Sequence, residues 1–402
     1  MHALIADKFE PSGVAGLKSL GLQVTVNADL SPETLPGAIA DLDPDILIVR
    51  STKVQAPAFE RARKLSLVIR AGAGFDNIDL AAASSRGISV ATCPGKNSIA
   101  VAELTWGLIL ACDRRIPEQT AELKAAQWNK KEYSKARGLH GRTLGVIGLG
   151  RIAEEVIARA HAFGMEVIAW SRSLTDARAR ELGVLRAPDT LTVARESDVV
   201  SVNIAANSET KGLLNAAFCE ALRPGAIFIN TSRGAVVDEG ALLNAVRSKG
   251  VRCGLDVFTN EPGAATGAFD SAIAKSPGVC GTHHIGASTD QAQQAIAEEV
   301  VRIVRDYKTT GEAPNVINLC DKTPATRLLV VRHLNKPGVL AHVVGAIGKA
   351  GINIEDMDNV IYQGATAACA RISLDADPGA EVMNAIRTGS PHVLSVDLTV
   401  IE

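Results

Sequence analysis

Short apolar runs separated by helical stretches dominate the first third of the chain. Ala3–Ile5, Gln23–Val26, Ile46–Val49, Leu67–Ile69 and Ser89–Val90 read as strands, with helices such as Ala58–Lys64 and Leu80–Ser85 between them. Strands alternating with helices predict βαβ units and a parallel sheet. Asn97 to Cys112 is a long amphipathic to apolar helix, and the basic stretch Trp128–Arg142 reads as a loop. A second βαβ series runs from Thr143 to about Ile285, with strands at Leu144–Ile147, Glu166–Trp170, Val199–Val202, Ala226–Asn230 and Val251–Val257. Ser288 with Gln291 suggests a capping box for a helix reaching Tyr307. Cys320–Thr326, short and polar with a proline, reads as a linker. From there the order strand, helix, strand, strand, helix, strand predicts a ferredoxin-like α+β unit.

Composition narrows the functional classes. The 402 residues carry 42 basic and 44 acidic side chains, net -2, and only 3% are aromatic. Neither the charge nor the stacking surface for nucleic-acid binding as a main role is present. No apolar run approaches the roughly 18 residues of a spanning helix, so no membrane partner is expected. The first ten residues are charged and lack a signal-peptide core. Seven scattered cysteines, none in CxxC, fit reduced thiols, point to the cytoplasm and predict no metal site.

Gly145–Ala153 reads GVIGLGRIA after a predicted strand. Gly148 allows the tight turn, and Gly150 lets the backbone approach a pyrophosphate. Arg151 and Ile152 open a helix whose free N–H groups favour an anion, and Ala153 permits close helix–strand packing. A dinucleotide is therefore the expected cofactor. The next strand ends at Trp170 without the carboxylate that would bind a ribose 2′-hydroxyl; Ser171, Arg172 and Ser173 stand there instead. Arg172 suits a 2′-phosphate, which points to NADP, alone or with NAD; the cofactor expected is NAD, with NADP possible.

Three later clusters each follow a strand: NTSRGAVVDE (Asn230–Glu239), GLDVFTNEP (Gly254–Pro262) and GTHHIGAST (Gly281–Thr289). Ligands in open α/β sheets sit outside the carboxyl ends of the strands, so these loops converge on the cofactor. Arg233 supplies a planar cation for a carboxylate and a polarised carbonyl. A histidine supplies an acid/base in the right range, and Glu261 a carboxylate to orient it. His283 and His284 are adjacent; the Ile285-Gly286 that follows favours His284.

These segments, with RAGAGFDNID (Arg70–Asp79) and NSIAVAEL (Asn97–Leu104), resemble the D-isomer-specific 2-hydroxyacid dehydrogenases in the same order over residues 1–320. The resemblance implies Arg233, Glu261 and His284 as catalytic residues and Asp256 as an acidic residue near the nicotinamide. It implies substrate contacts from Arg50, Ser51, Arg70, Gly72, Ala73 and Gly74. The expected substrate is 3-phosphoglycerate, oxidised to 3-phosphohydroxypyruvate on the route to L-serine. An NADPH-dependent hydroxypyruvate or glyoxylate reductase is the alternative, and a non-catalytic sensor or corepressor keeping the nucleotide fold is a third reading. Lys130, Lys131, Lys135, Arg137 and Arg142 are further cations for a phosphate, within this chain or from a neighbouring subunit. Asn203-Ile204-Ala205 replaces the family's His-x-Pro, and Thr282-His283-His284 its Thr-Pro-His.

RHLNKPGVLAHVVGAIGKAGINIEDM (Arg332–Met357) resembles the ACT domain, which implies an L-serine effector at His333, Asn335 and Asn353 across a pair of such domains. The expected architecture is α/β: two Rossmann-like, doubly wound parallel-sheet domains plus a ferredoxin-like ACT domain. The first, flavodoxin-like and substrate-binding, spans 1–97 and 287–320; the second, binding NAD(P), spans 98–286; the ACT domain spans 327–402. A homodimer or homotetramer is expected.

Overall fold

A computed structural model describes residues 1–401 apart from 263–265 and 321. Position 321 of the expected linker and position 402 of the expected ACT domain therefore lie outside the described residues. The chain forms two compact units, Met1–Asn318 and Leu319–Glu402.

The first unit holds two parallel sheets. One is built from β1 (His2–Ile5), β2 (Gln23–Val26), β3 (Ile46–Val49), β4 (Leu67–Arg70) and β5 (Ser89–Thr92) in the order β2-β1-β3-β4-β5. This is the flavodoxin-like doubly wound order. The other contains β6 (Thr143–Ile147), β7 (Glu166–Trp170), β8 (Leu185–Arg186), β9 (Val199–Val202), β10 (Ile227–Asn230), β11 (Arg252–Leu255) and β12 (Val279–Gly281). Its order, β12-β11-β10-β9-β6-β7-β8, reverses direction between β6 and β9. The crevice at that switch point is where a dinucleotide binds in this topology. β3 and β9 are buried at every position, as strands covered by helices on both faces must be.

The chain passes between the sheets twice. After β5, the helix Ser98–Arg114 buries Ala102, Trp106, Ile109 and Cys112 against the second sheet. The helix Asp290–Thr310 returns, packing Ile296, Val300, Ile303 and Val304 against Ala3, Ile5 and Ile48. Residues just beyond it then lie along β5, with Thr92 N–H donating to the Asn315 carbonyl and Ile317 N–H to that of Val90.

Several elements differ locally from expectation. The returning helix is capped by Thr289, whose hydroxyl accepts from Ala292 N–H, and not by Ser288. Ser288 Oγ instead accepts from Arg50, 3.3 Å away. The early helix spans Ala56–Glu60, starting two residues before the expected Ala58, because Pro57 sets a helical φ in its first turn. The basic stretch contains one helical turn, Lys130–Tyr133. The strand expected over Val251–Val257 stops at Leu255, where Asp256 leaves the ladder to hold a neighbouring loop. Burial pushes the thiols of Cys93, Cys112 and Cys219 up to about 12, so these cysteines act as small packing residues.

The second unit is one antiparallel sheet of β13 (Arg327–Leu334), β14 (Ile354–Ile361), β15 (Ala367–Leu374) and β16 (Val393–Val400), ordered β14-β15-β13-β16. Helices Val339–Lys349 and Gly379–Thr388 complete the βαββαβ pattern. Val343, Ile347 and Ile386 pack on Leu329, Val331, Ala370 and Ile372, giving this small unit its own core.

Candidate active site

The loops at the carboxyl ends of both parallel sheets carry the candidate chemistry. After β10, the Asn230 amide shapes the turn: Nδ2 donates to the Arg233 carbonyl at 2.9 Å, and Oδ1 accepts from Ser232 N–H at 3.0 Å and its hydroxyl at 2.8 Å. Arg233 then reaches across to the loop after β4. Its Nη2 lies 2.8 Å from Asp76 Oδ1, and its Nε 3.2 Å from the same oxygen. Arg70 stands beside this pair, its guanidinium lowered to about 10 first by burial and then by repulsion from Arg233, with Arg50 adding a smaller push the same way. Arg70 therefore stays charged at neutral pH, and its buried Nε has no hydrogen-bond partner among the described residues. Asp76 is the carboxylate paired with Arg233; burial raises its pKa, but the Arg233 hydrogen bond and charge bring it below the ordinary value.

Two of the loop glycines make room for this cluster. A Cβ on Gly72 (φ 149°) would lie 1.6 Å from Arg70 Nη1, and one on Gly74 would lie 2.2 Å from Arg233 Nη2. Gly74→Ala is therefore expected to leave the fold intact while pushing the Arg233 fork aside. The KM for a carboxylate substrate should rise about tenfold with NADH affinity unchanged, as expected when one bidentate contact is misplaced. Steady-state kinetics beside a fluorescence titration of NADH tests this.

Asp7, after β1, was not legible as a site residue. Its Oδ2 accepts from the backbone N–H groups of Arg50, Ser51 and Thr52 at 2.6, 3.2 and 3.2 Å, setting the loop that presents Arg50 and Ser51.

The two residues expected to act as the acid/base pair come together. His284 Nδ1 lies 2.7 Å from Glu261 Oε2, and Glu261 Oε1 accepts from Phe258 N–H at 2.8 Å. Burial raises the Glu261 carboxyl, but the His284 and Phe258 hydrogen bonds outweigh it and hold the pKa below the usual value. His284 takes a left-handed φ of 53°, uncommon for a residue with a side chain and worth a functional explanation. Asp256 enforces that turn. Its carboxylate, 1% exposed, accepts from Thr282 Oγ1 at 2.6 Å and from Ile285 and Gly286 N–H at 2.9 Å each, while its carbonyl accepts from His284 N–H. The structure thus places Asp256 under the histidine loop, engaged with that loop's donors.

The dinucleotide crevice fits its group. Gly148 takes φ 88°, and a Cβ there would lie 2.7 Å from the Asn203 carbonyl oxygen. A Cβ on Gly150 would meet nothing within 4 Å, leaving open space over the N-terminus of the helix Arg151–Ala162, which has no side-chain cap. Asn203 Oδ1 is buried without a partner close by, an acceptor left for a ligand hydroxyl or amide. Ala153 is fully buried and Ile152 partly so. Arg151 spans to the other sheet, donating to the Pro94 carbonyl at 2.9 Å. Ser171 and Ser173 hydroxyls lie 3.4 Å apart, and Arg172 between them is paired with Glu209.

Two groups of expected residues are not drawn together. The basic segment lies at the amino end of β6, with Arg142 Nη1 2.9 Å from Asp113 and Arg137 3.3 Å from Asp198, at the opposite end of the sheet from His284 in this chain. In the second unit, His333 is buried, its Nε2 3.1 Å from Asn359 Oδ1. Asn335 donates to the Ala365 carbonyl, and Asn353 to Glu355. His333 is level with Ala368 at one end of β15, whereas Asn353 adjoins Leu374 and Asp375 at the other. About six residues at ~3.3 Å separate them, so one chain alone does not bring these side chains to a shared ligand.

A family model described as D-isomer specific 2-hydroxyacid dehydrogenase, NAD binding domain, matches residues 106–286. A curated D-3-phosphoglycerate dehydrogenase of Methanocaldococcus jannaschii is 38% identical over 79% of this chain and 59% of the relative. One from Mycobacterium leprae is 40% identical over 79% of this chain and 58% of the relative. The chain thus spans about three-fifths of the length of the curated relatives it matches. The solved NADPH-dependent glyoxylate/hydroxypyruvate reductase of Sinorhizobium meliloti is similar with a TM-score of 0.68 and 27% identity, over 79% of this chain and 96% of that one. With its switch-point crevice and its paired His284 and Glu261, the stretch 106–286 carries the NAD-binding domain of the D-isomer specific 2-hydroxyacid dehydrogenases.

Proposed function

We propose that the protein is a D-3-phosphoglycerate dehydrogenase, oxidising 3-phosphoglycerate to 3-phosphohydroxypyruvate with NAD(P) in L-serine biosynthesis. The observation that carries this reading is electrostatic. Arg50, Arg70 and Arg233 lie close enough that the first and last both depress Arg70, with Asp76 the carboxylate paired among them. Such a cluster is costly unless an anion of more than one charge compensates it, and a phosphorylated hydroxy acid does so. A near-neutral chain offers no global field for such a substrate, so local cations must attract it.

Each group then has a task. Arg233 holds the substrate carboxylate and polarises the C2 oxygen, with the backbone around Gly72, Ala73 and Gly74 beside it. Because His284 Nδ1 is tied to Glu261, its Nε2 is the nitrogen left to take the hydroxyl proton and to return it in the reverse direction. Glu261 keeps the ring oriented through its hydrogen bond to Nδ1. Gly148, Gly150 and the helix N-terminus at Arg151 would hold the dinucleotide, whose nicotinamide would supply the hydride acceptor for C2.

We also propose the division into a substrate lobe, 1–97 with 287–320, and a nucleotide lobe, 98–286, followed by an ACT module over 327–402. L-Serine as effector requires two such modules, in a homodimer or homotetramer. No helix among the described residues is long and apolar enough to cross a membrane, and a cytoplasmic enzyme is proposed.

A hydroxypyruvate or glyoxylate reductase using NADPH is the second reading, favoured by the absence of a carboxylate after β7. Initial rates with 3-phosphohydroxypyruvate, hydroxypyruvate and glyoxylate, each with NADH and NADPH, separate the two. The phosphorylated substrate is expected to give a kcat/KM at least about a hundredfold higher, the worth of a charge-assisted phosphate contact. A preference for hydroxypyruvate or glyoxylate overturns the proposal.

A further inference from the structure

β7 ends without an acidic residue, yet the fold brings one to the same place. Glu209, in the loop after β9, is paired through Oε2 with Nη1 of Arg172. β7 and β9 flank β6 on either side, and the turn after β6 carries Gly148 and Gly150. Arg172 and Glu209 therefore approach the crevice from two sides of the dinucleotide turn, at the end where the β7 strand would meet the adenosine ribose.

Glu209 does not sit on a loose loop. Asn207 Oδ1 accepts from the N–H groups of both Glu209 and Thr210 at 3.0 Å. Thr210, 7% exposed, donates from Oγ1 to the Ala205 carbonyl at 2.6 Å. The backbone that carries Glu209 is thus fixed from both directions, and its carboxylate projects toward Arg172.

We propose that Glu209 is the residue that sets cofactor choice, standing in for the missing β7 carboxylate and selecting dinucleotides with a free ribose 2′-hydroxyl. It acts in two ways. It neutralises Arg172, the one cation that follows β7 directly, and it sets a negative charge where a 2′-phosphate would arrive. A phosphate monoester carries nearly two negative charges near neutral pH, so it must displace Glu209 or meet repulsion. A 2′-hydroxyl carries no charge and can donate to the carboxylate. The inference rests on the reading of this lobe as NAD(P)-binding and is independent of which hydroxy acid is the substrate.

Both side chains are largely exposed, so the pair itself contributes little to folding. Glu209→Gln should therefore melt like the wild type, and its effect is read directly as binding. Fluorescence titrations of NADH and NADPH, without substrate, would be run on the wild type, Glu209→Gln, Arg172→Ala and the double variant, at low and high salt. The wild type is expected to favour NADH. Glu209→Gln is expected to tighten NADPH about tenfold, the order of one charge-assisted contact at an exposed site, with NADH within about twofold. Arg172→Ala in the same background should abolish the gain, and high salt should shrink it. An unchanged NADPH to NADH ratio in Glu209→Gln, or a wild type that already favours NADPH, overturns the proposal. Failure of both dinucleotides to bind overturns the reading of the lobe itself, and the proposal with it.

Discussion

Replacing His284 with alanine is expected to lower turnover about a thousandfold, within the range for loss of a positioned general acid/base, while NADH binds within about twofold of the wild type. Nε2 is the nitrogen of this ring free to exchange the hydroxyl proton, because Nδ1 is held 2.7 Å from Glu261. The dinucleotide crevice is built from other residues, Gly148, Gly150 and Asn203, so its affinity has no reason to follow. His283→Ala, on the neighbouring exposed residue, is expected to retain most activity, since among the described residues no carboxylate is paired with it. Glu261→Gln should fall between the two, keeping a polar partner for the ring but removing the carboxylate that orients it. Its effect should also vary with pH. The Glu261 pKa in the folded protein lies below its ordinary value, so the stabilisation it brings is complete above that ordinary value. It is lost as pH falls through the lower, folded-state value, and Glu261→Gln should flatten that acid limb. Stopped-flow measurement of nicotinamide absorbance in a single turnover reads the chemical step directly. If His283→Ala is the crippled variant and His284→Ala is not, the acid/base is the other histidine.

What was legible in the sequence was what short-range pattern encodes. Apolar runs such as Ile46–Val49 and Val199–Val202 are buried at every position, so they marked central parallel strands. Leu185–Arg186 has no such signature, because both residues of this edge strand are exposed. The dinucleotide turn was readable because its glycines act within a few residues of one another. Arg233, Glu261 and His284 were readable only as segments in order, and the partners that tune them were not readable at all. Asp76 lies 157 residues from the Arg233 it holds, and Glu209 lies 37 from Arg172. Such pairs are made by loops that converge at strand ends, and nothing local to either residue announces them. Asp7 belongs to the same class: it looks like an ordinary acidic residue after a strand, yet it gathers the backbone N–H groups of a distant loop. The resemblance names Asp256 as a residue near the nicotinamide, but its hold on the N–H groups of the histidine loop is not visible in the sequence. The carboxylate absent after Trp170 was a correct observation about one strand, but the charge at the end of that strand is decided by another.

Asp256→Asn is expected to be the most damaging single-atom change in the site outside the acid/base itself. The buried carboxylate has both oxygens engaged: Oδ1 with the Thr282 hydroxyl and Ile285 N–H, Oδ2 with Gly286 N–H. An amide keeps one acceptor and turns the other into a donor. Whichever way it is oriented, an NH2 group then faces a backbone N–H at a distance fit for a hydrogen bond, with almost no solvent to relieve it. Leaving buried groups unpaired costs about 1–3 kcal/mol, and a midpoint drop of a few degrees in thermal unfolding should follow. The larger effect should be on chemistry. The same contacts hold His284 at φ 53°, a conformation that persists only while its surroundings enforce it. Once they weaken, the ring can leave Glu261, and kcat should fall about a hundredfold or more. NADH affinity separates this account from one in which Asp256 touches the nicotinamide. A loop anchor predicts a loss in kcat with the NADH Kd nearly unchanged, whereas a cofactor contact predicts weaker NADH binding at least in proportion to the loss of rate. Val101 gives a control, since its methyl groups pack near Gly286 on the apolar side of the same loop. Val101→Ala should cost stability without the loss of kcat, because it loosens the packing but leaves every hydrogen bond to Asp256 in place.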